Sequence, residues 1–275
     1  MNFIGCESTY EQSETVLFGV PYDGTVSYRP GTRFAPPAIR LESDGIETYS
    51  PYLNCDLLDR KIHDAGDLIL PFGNREFVFK EIEEKISILL KDGKKPCTIG
   101  GEHLITYPVI RQMLKKYPDL HILHFDAHAD LRDDYLGEKL SHATVMRRVW
   151  DLTGDDRIYQ FGIRSGERSE FEWAEKHVNM QKYSSEGLDE VLKKLEGKPL
   201  YVTVDLDVLD PSCFPGTGTP EPGGWRYQEL LKVLLLLKNK DIVGADMVEL
   251  SPHYDASGIS TITACKTLRE LLLVL

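Results

Sequence analysis

The sequence predicts an α/β protein, a mostly parallel sheet with helices on both faces, and three observations carry that expectation. Short apolar, β-branched runs alternate with stretches of helical spacing through most of the chain. Three of those runs stop abruptly at Asp or His: PCTIGGEH at 96–103, LHILHFDAHAD at 120–130 and LYVTVDLDVLD at 200–210. In parallel α/β folds, ligands bind beyond the carboxyl ends of the strands. The chemistry-bearing residues therefore fall where such a fold places its ligands.

Taken in order, VLFGV at 16–20 predicts a first strand. The next twenty residues, PYDGTVSYRPGTRFAPPAIR at 21–40, are rich in Gly and Pro and read as a long irregular loop. KIHDAGDLIL at 61–70 reads as a strand with a turn inside it. Over 74–91, Phe79, Ile82, Ile86, Leu89 and Leu90 have the spacing of an amphipathic helix stopped by Gly93. The strand leading to His103, a helix over 107–116 and a central strand from Leu120 follow. Helices are expected within 142–152, around 169–177, at 188–195 and at 227–238, and strands at 157–163, 200–210 and 241–250. TITACKTLRELLLVL closes the chain as an apolar helix.

No linker, charge block or repeat divides the chain, so a single domain over 1–275 is expected. A net charge of −12 disfavours nucleic acid and favours a small cationic substrate. The five cysteines are scattered without a CxxC pair, as in the reduced thiols of a cytoplasmic protein. Residues 1–14 lack the basic and apolar regions of a signal peptide, and no apolar stretch has the length of a membrane span.

On an extended chain, side chains at i, i+2 and i+4 share a face about 6–7 Å apart. That spacing aims Asp126, His128 and Asp130 together, and Asp205 with Asp207; His103 ends the third run. Any one of these alone reads as a cap, a turn or a satisfied core residue. Together they do not, because carboxylates buried near one another are costly unless cations neutralise them. Six donors exceed the needs of one ion and suffice for two that share bridging aspartates. Oxygen-rich donors with a little imidazole favour Mn(II), with Co(II) and Fe(II) as competitors, over structural zinc. Two such ions activate water, so hydrolysis is the expected reaction, with phosphate esters, peptides and amidines all open as substrates.

GGEH, DAHAD, SHATVMRR, VDLDVLDP, GTGTPEPGG and VELSP, in that order, resemble the ureohydrolase family of arginases and agmatinases. The resemblance implies a three-layer α/β/α sandwich (the arginase-like fold), two Mn2+ per chain, urea release from a guanidino compound by a hydroxide bridging the ions, and homo-oligomers, trimeric or hexameric. By position it gives one manganese to His103, Asp126, Asp130 and Asp205, and the other to Asp126, His128, Asp205 and Asp207. Asp130 would orient the hydroxide, His142 shuttle a proton to the leaving amine and Glu249 pair with the guanidinium, with Thr219 and Glu221 on the rim. From spacing alone, His142 reads as a solvent-exposed histidine at a helix start and Glu249 as a strand-end charge. His121 and His124 are expected to pack or hydrogen-bond within the strand, and Arg29 to brace a loop. Arg164 is either a clamp or a pocket wall, and His253 either enters the site or sits on its shoulder.

After DAHAD the chain continues LRDDYLGEKLSH. Asp133, Asp134 and Glu138 would repel a carboxylate and welcome an amine, whereas Arg132 argues the other way. With PEPGG and TYSPYLNCDL at 48–57, the sequence is closest to agmatinases. The expected reaction is agmatine hydrolysis to putrescine and urea, in polyamine synthesis. Arginase, guanidinobutyrase and aminopropyl-agmatine ureohydrolase are the alternatives within the class. Outside it stand a non-catalytic binding protein and a single-zinc deacetylase, which urea release and metal stoichiometry separate from the first reading.

Overall fold

A computed structural model describes residues 1–275. In chain order the elements are β1 (Thr15–Gly19), α1 (Ala35–Glu42), β2 (Tyr49–Ser50), β3 (Cys55–Asp56), β4 (Ile62–Asp67), α2 (Arg75–Lys91), β5 (Lys95–Ile99), α3 (Thr106–Lys116), β6 (His121–Phe125) and α4 (Val145–Thr153). They continue with β7 (Ile158–Ile163), α5 (Arg168–His177), β8 (Asn179–Lys182), α6 (Leu188–Lys194), β9 (Leu200–Asp205), α7 (Tyr227–Leu236), β10 (Ile242–Val248) and α8 (Ile259–Val274). Eight strands form one sheet in the order β4-β1-β5-β10-β9-β6-β7-β8, and every pairing in it is parallel. The strands β2 and β3 pair separately as an antiparallel hairpin.

A parallel sheet must be covered on both faces, which is why its strands are apolar throughout. Successive side chains point to opposite faces. Leu123, Phe125, Val202 and Val204 face one core, where α1, α6, α7 and α8 pack through Ile39, Leu192, Leu234 and Leu268. Ile122 and Tyr201 face the other, where α2, α3, α4 and α5 pack through Ile82, Val109, Val149 and Ala174. The result is the expected three-layer α/β/α sandwich. No helix is long and apolar enough to cross a membrane.

The loop expected over 21–40 is corrected: its last residues form α1. Pro36 and Pro37 sit in the first turn of that helix. An N–H there has no intrahelical acceptor, so proline is tolerated and its fixed φ suits the helix. The turn expected inside 61–70 is a register shift of β1 against β4, with Gly66 at φ 71. The hairpin and β8 were not foreseen. Residues NMQK of β8 sit at the sheet edge and are only partly buried, so no apolar run marks them.

In the centre of the sheet, β5, β10, β9 and β6 are consecutive neighbours. The residues after their carboxyl ends open on one side of the molecule and carry His103, Glu249, Asp205 with Asp207, and Asp126 to Asp130.

Candidate active site

The turn after β5 brings the first donor. A Cβ on Gly101 would stand 1.9 Å from the Tyr22 carbonyl oxygen, so only glycine lets the GGEH turn lie against that chain. His103, fully buried, follows at the start of a 3-10 turn. Its Nε2 lies 2.9 Å from Thr203 Oγ1. The Thr203 hydroxyl proton goes to Asp246 Oδ1 at 2.5 Å, so Thr203 accepts from His103 Nε2–H. Asp246 is buried in β10 and also receives the hydroxyls of Tyr201 (2.7 Å) and Thr106 (2.8 Å). In the neutral ring this leaves a lone pair on His103 Nδ1, which faces oxygens of Asp126, Asp130 and Asp205 at 3.1, 3.4 and 3.2 Å without a hydrogen bond.

The donors meet differently from the same-face expectation. β6 ends at Phe125, so Asp126, His128 and Asp130 lie past the strand, with Asp130 turned into the left-handed region at φ 55. β9 ends at Asp205, and Asp207 belongs to a 3-10 turn over Leu206–Val208. Past Phe125 the pairing is reduced to an isolated bridge between His128 and Ser165, so the regular strand period is broken. What replaces it is a local bond at each corner: Asp126 Oδ1 accepts His128 N–H at 2.6 Å, and Asp205 Oδ1 accepts Asp207 N–H at 2.8 Å. These bonds orient the other oxygens inward. His128 Nδ1 then lies 3.0 Å from Asp207 Oδ2 and 3.5 Å from Asp126 Oδ1.

His124 and Gln160 hold Asp126 from below. Gln160 Nε2 donates to the Ala129 carbonyl at 2.8 Å and reaches His124 Nδ1 at 2.9 Å. An amide nitrogen only donates, so His124 carries its hydrogen on Nε2 and gives it to Asp126 Oδ2 at 2.7 Å. His124 is thus a hydrogen-bonding residue of the strand, as expected.

His103, His124, Asp126 and Asp130 form one group and Asp126, His128 and Asp207 a second, with Asp126 common to both; His124 is already committed to Gln160 and Asp126. Burial, then the charge of neighbouring carboxylates, pushes Asp205 and Asp130 well above the ordinary range. Lone pairs facing carboxylates in a dry site repel unless positive charge lies between them. The donor set, mostly oxygen with some imidazole, fits hard or borderline divalent cations.

Above the donors is a cavity of about 190 Å3 lined by His103, His128, Asp130, Asp205, Asp207, Thr219, His142 and Glu249, with Arg132, Tyr135 and Glu170 on its outer wall. Glu249 follows β10 at φ 66, and its Oε1 accepts His103 N–H at 2.7 Å. Burial, then Glu102, raises its carboxyl to about 8. Glu102 is itself raised by burial to about 7, against hydrogen bonds from Thr25. His142 is half-buried at the start of a 3-10 turn and lines the cavity, unlike the solvent-exposed histidine its spacing suggested. Burial, then His128, lowers it to about 4. The Thr219 hydroxyl donates to Asp207 Oδ2 at 3.2 Å, and Glu221 receives Ser165 Oγ at 2.9 Å with His128 Nε2 at 3.8 Å.

Asp133, Asp134 and Glu138 do not line this cavity, which corrects their expected influence on substrate. Asp133 pairs with Arg148 and Glu138 with Arg75, while Asp134 accepts Gly137 N–H. Arg132 does line it, but its guanidinium pairs with Glu167 at 2.8 Å, lies 3.6 Å from Glu170 and stacks over Tyr135. Its charge is therefore neutralised within the wall. Arg164 is a clamp: it donates to the carbonyls of Asp207 (2.7 Å) and Glu221 (2.8 Å). His253 packs at a tilt against Phe34 outside the cavity, and Arg29 packs on Tyr28 and Tyr254. Sequence reasoning missed Thr25, Glu102, Gln160, Glu170 and Asp246. Two left a signal: Glu102 stands inside the GGEH run, and Asp246 is a carboxylate inside the apolar run DIVGADMV.

A parallel sheet with an acid-rich, cation-fitting centre at its carboxyl ends defines a metal-dependent hydrolase. Residues 13–274 match the Arginase family, and the chain belongs to that family. The agmatinase of Bacillus anthracis is 53% identical over 98% of this chain and 95% of its own length. A solved structure from Clostridium difficile is 51% identical and superposes with a TM-score of 0.95 over 97% of this chain and 98% of that one. The agmatine ureohydrolase of Thermoplasma volcanium is 35% identical, with a TM-score of 0.89 over 98% and 92%.

Proposed function

We infer that this chain is a metal-dependent ureohydrolase that cleaves agmatine to putrescine and urea. The observation that carries the reading is the pairing of the cation-fitting donor cluster with a buried carboxylate, Glu249, on one small cavity. The near-full-length identity to an agmatinase supports the substrate. The neutralised Arg132 supports it too, because a free guanidinium on the wall would favour a carboxylate-ended substrate such as 4-guanidinobutyrate.

The proposed roles are those that the resemblance to the family implies by position. His103, Asp126, Asp130 and Asp205 would hold one Mn2+ and Asp126, His128, Asp205 and Asp207 the other. When bound, the two cations supply Lewis-acid charge and make water nucleophilic at neutral pH. Asp130, which lines the cavity, would also accept a hydrogen bond from the attacking water and orient it. Glu249 receives the guanidinium, and Thr219 contacts substrate from the rim besides bracing Asp207. His142 carries a proton to the departing amine, so that urea and a neutral amine leave. The whole chain, 1–275, acts as one ureohydrolase domain, since both cores are built on one sheet. Its five unpaired cysteines fit a cytoplasmic location in polyamine synthesis. The exposed Ile69, Phe72 and Leu136 fit a homo-oligomer, trimer or hexamer, measurable as a multiple of the 31.2 kDa chain by light scattering.

The test is urea release by the manganese-loaded protein from agmatine, arginine and 4-guanidinobutyrate, side by side. Agmatine should give the highest kcat/KM, chelation should abolish turnover and manganese should restore it. Preference for another substrate, or turnover with no bound metal, would contradict this assignment.

A further inference from the structure

Residues 23–27 run irregularly up to Ser27, which lines the cavity, and Thr25 ties them to the interior. Its N–H donates to Glu102 Oε2 at 2.7 Å and its hydroxyl to Glu102 Oε1 at 2.6 Å. Glu102 is fully buried and immediately precedes His103, so the turn that presents a proposed metal ligand also holds the rim segment.

The hydroxyl has a single proton, and it points at Glu102 Oε1 at 2.6 Å. Toward every other neighbour, Thr25 Oγ1 offers lone pairs. It accepts His142 N–H at 3.0 Å and lies 3.3 Å from His142 Nδ1. A bare Nδ1 would set lone pair against lone pair. The contact is attractive only when Nδ1 carries the hydrogen, and in a neutral imidazole Nε2 is then the free base. That nitrogen lies 3.3 Å from Ser27 Oγ, which also lines the cavity. One hydroxyl therefore grips His142 at two points, its backbone and its ring.

We propose that Thr25 and Glu102 are positioning residues that lock His142 in its Nδ1–H tautomer, leaving Nε2 as the nitrogen that takes up and hands over the proton. This rests on the proton-carrying role of His142 given above. The wrong tautomer would aim an N–H at the cavity where a base is needed. The step involves no group beyond the chain, the attacking water and the leaving amine: Nε2 gains a proton from the water and loses it to the amine.

The experiment uses the full, manganese-loaded enzyme with agmatine, comparing wild type, Thr25→Val, Thr25→Ser, His142→Asn and the double variant Thr25→Val/His142→Asn. Thr25→Val keeps the shape but removes the oxygen, and should lower kcat roughly 10–100-fold, the usual range for losing an outer-shell partner, with KM and bound metal unchanged. Thr25→Ser should restore most of kcat. In the His142→Asn background, Thr25→Val should cost nothing more, because the residue it positions is gone. Equal losses in both backgrounds, or a serine variant as slow as valine, would overturn the proposal while leaving the role of His142 standing. A full-speed His142→Asn would remove that role and the proposal with it. Should Thr25→Val misfold, neutron diffraction on the wild-type holoenzyme decides: a deuteron on Nδ1 supports the lock, and one on Nε2 alone refutes it.

Discussion

A residue in this site is defined less by its type than by which of its atoms is already engaged. His103 and His124 are both buried imidazoles on central strands or their ends, 5.0 Å apart ring to ring. His103 has Nε2 committed to Thr203, so Nδ1 is the atom left for a cation. His124 has Nδ1 filled by Gln160 and Nε2 given to Asp126, so it braces a donor instead of being one. His142 has a third arrangement, with one nitrogen anchored and one facing the cavity. From that arrangement His142→Asn should leave folding and metal content intact while kcat falls roughly 10²–10⁴-fold, the usual range for losing a general acid. KM should change little, because in the proposed scheme Glu249 takes the guanidinium and proton delivery matters mainly in the transition state. Steady-state urea release at several pH values checks this, and wild-type kcat across the range would return His142 to an ordinary helix-start residue.

At the scale of elements, strands and long helices were legible because apolar periodicity survives wherever packing needs it. α2, for example, was expected over 74–91 and spans Arg75–Lys91, with Asn74 accepting Glu76 N–H as its cap. The candidate donors were legible for a different reason, since their residue types and order carry the chemistry. Their geometry was not, because it is set by side chain–backbone bonds beyond the strand ends. The positioning residues were hidden for the same cause: Thr25 and Glu102 are far apart in sequence and meet only in the fold. The start of α8 shows such a bond supporting the site from a distance. Its N-cap, Gly258, has no side chain, and Asp255 substitutes by accepting Ser260 N–H at 2.6 Å. Ser260 Oγ in turn accepts Gly216 N–H at 2.9 Å, at the base of the loop that carries Thr219. Burial alone would raise Asp255, but hydrogen bonds from Ser257 and Ser260 outweigh it and hold the carboxyl at about 2. A depressed folded-state pKa gives stability that is present above the unfolded value and lost as pH falls toward 2. Asp255→Ala should therefore destabilise the protein by about 0.5–2 kcal/mol near neutral pH, as lost helix caps do. The gap to wild type should close as the pH is lowered through that window. Denaturant unfolding at neutral and acid pH reads both.

For the whole molecule, the decisive feature is that the proposed donors hang on β5, β6 and β9, with Glu249 on β10 between them, in a chain of net charge −12. In the unfolded chain these residues are spread from 103 to 207, so no comparable site exists there. Cations that bind only the folded form stabilise it by mass action, about 2.7 kcal/mol per site at a free concentration of 100 times Kd. The effect should be concentrated at the sheet's carboxyl edge, where positive charge relieves repulsion among Asp126, Asp130, Asp205 and Asp207. Thermal unfolding of the chelated protein should therefore begin at lower temperature, by several degrees given about 2–4 °C per kcal/mol for large domains. The midpoint should climb with each added increment of manganese. The Asp207→Asn protein should show a smaller rise, since it lacks a donor to one ion only. Calorimetric scans across a manganese series test this directly. A midpoint that ignores manganese would mean that the cluster does not take up cations in the folded protein, and that its buried carboxylates are neutralised by protons instead.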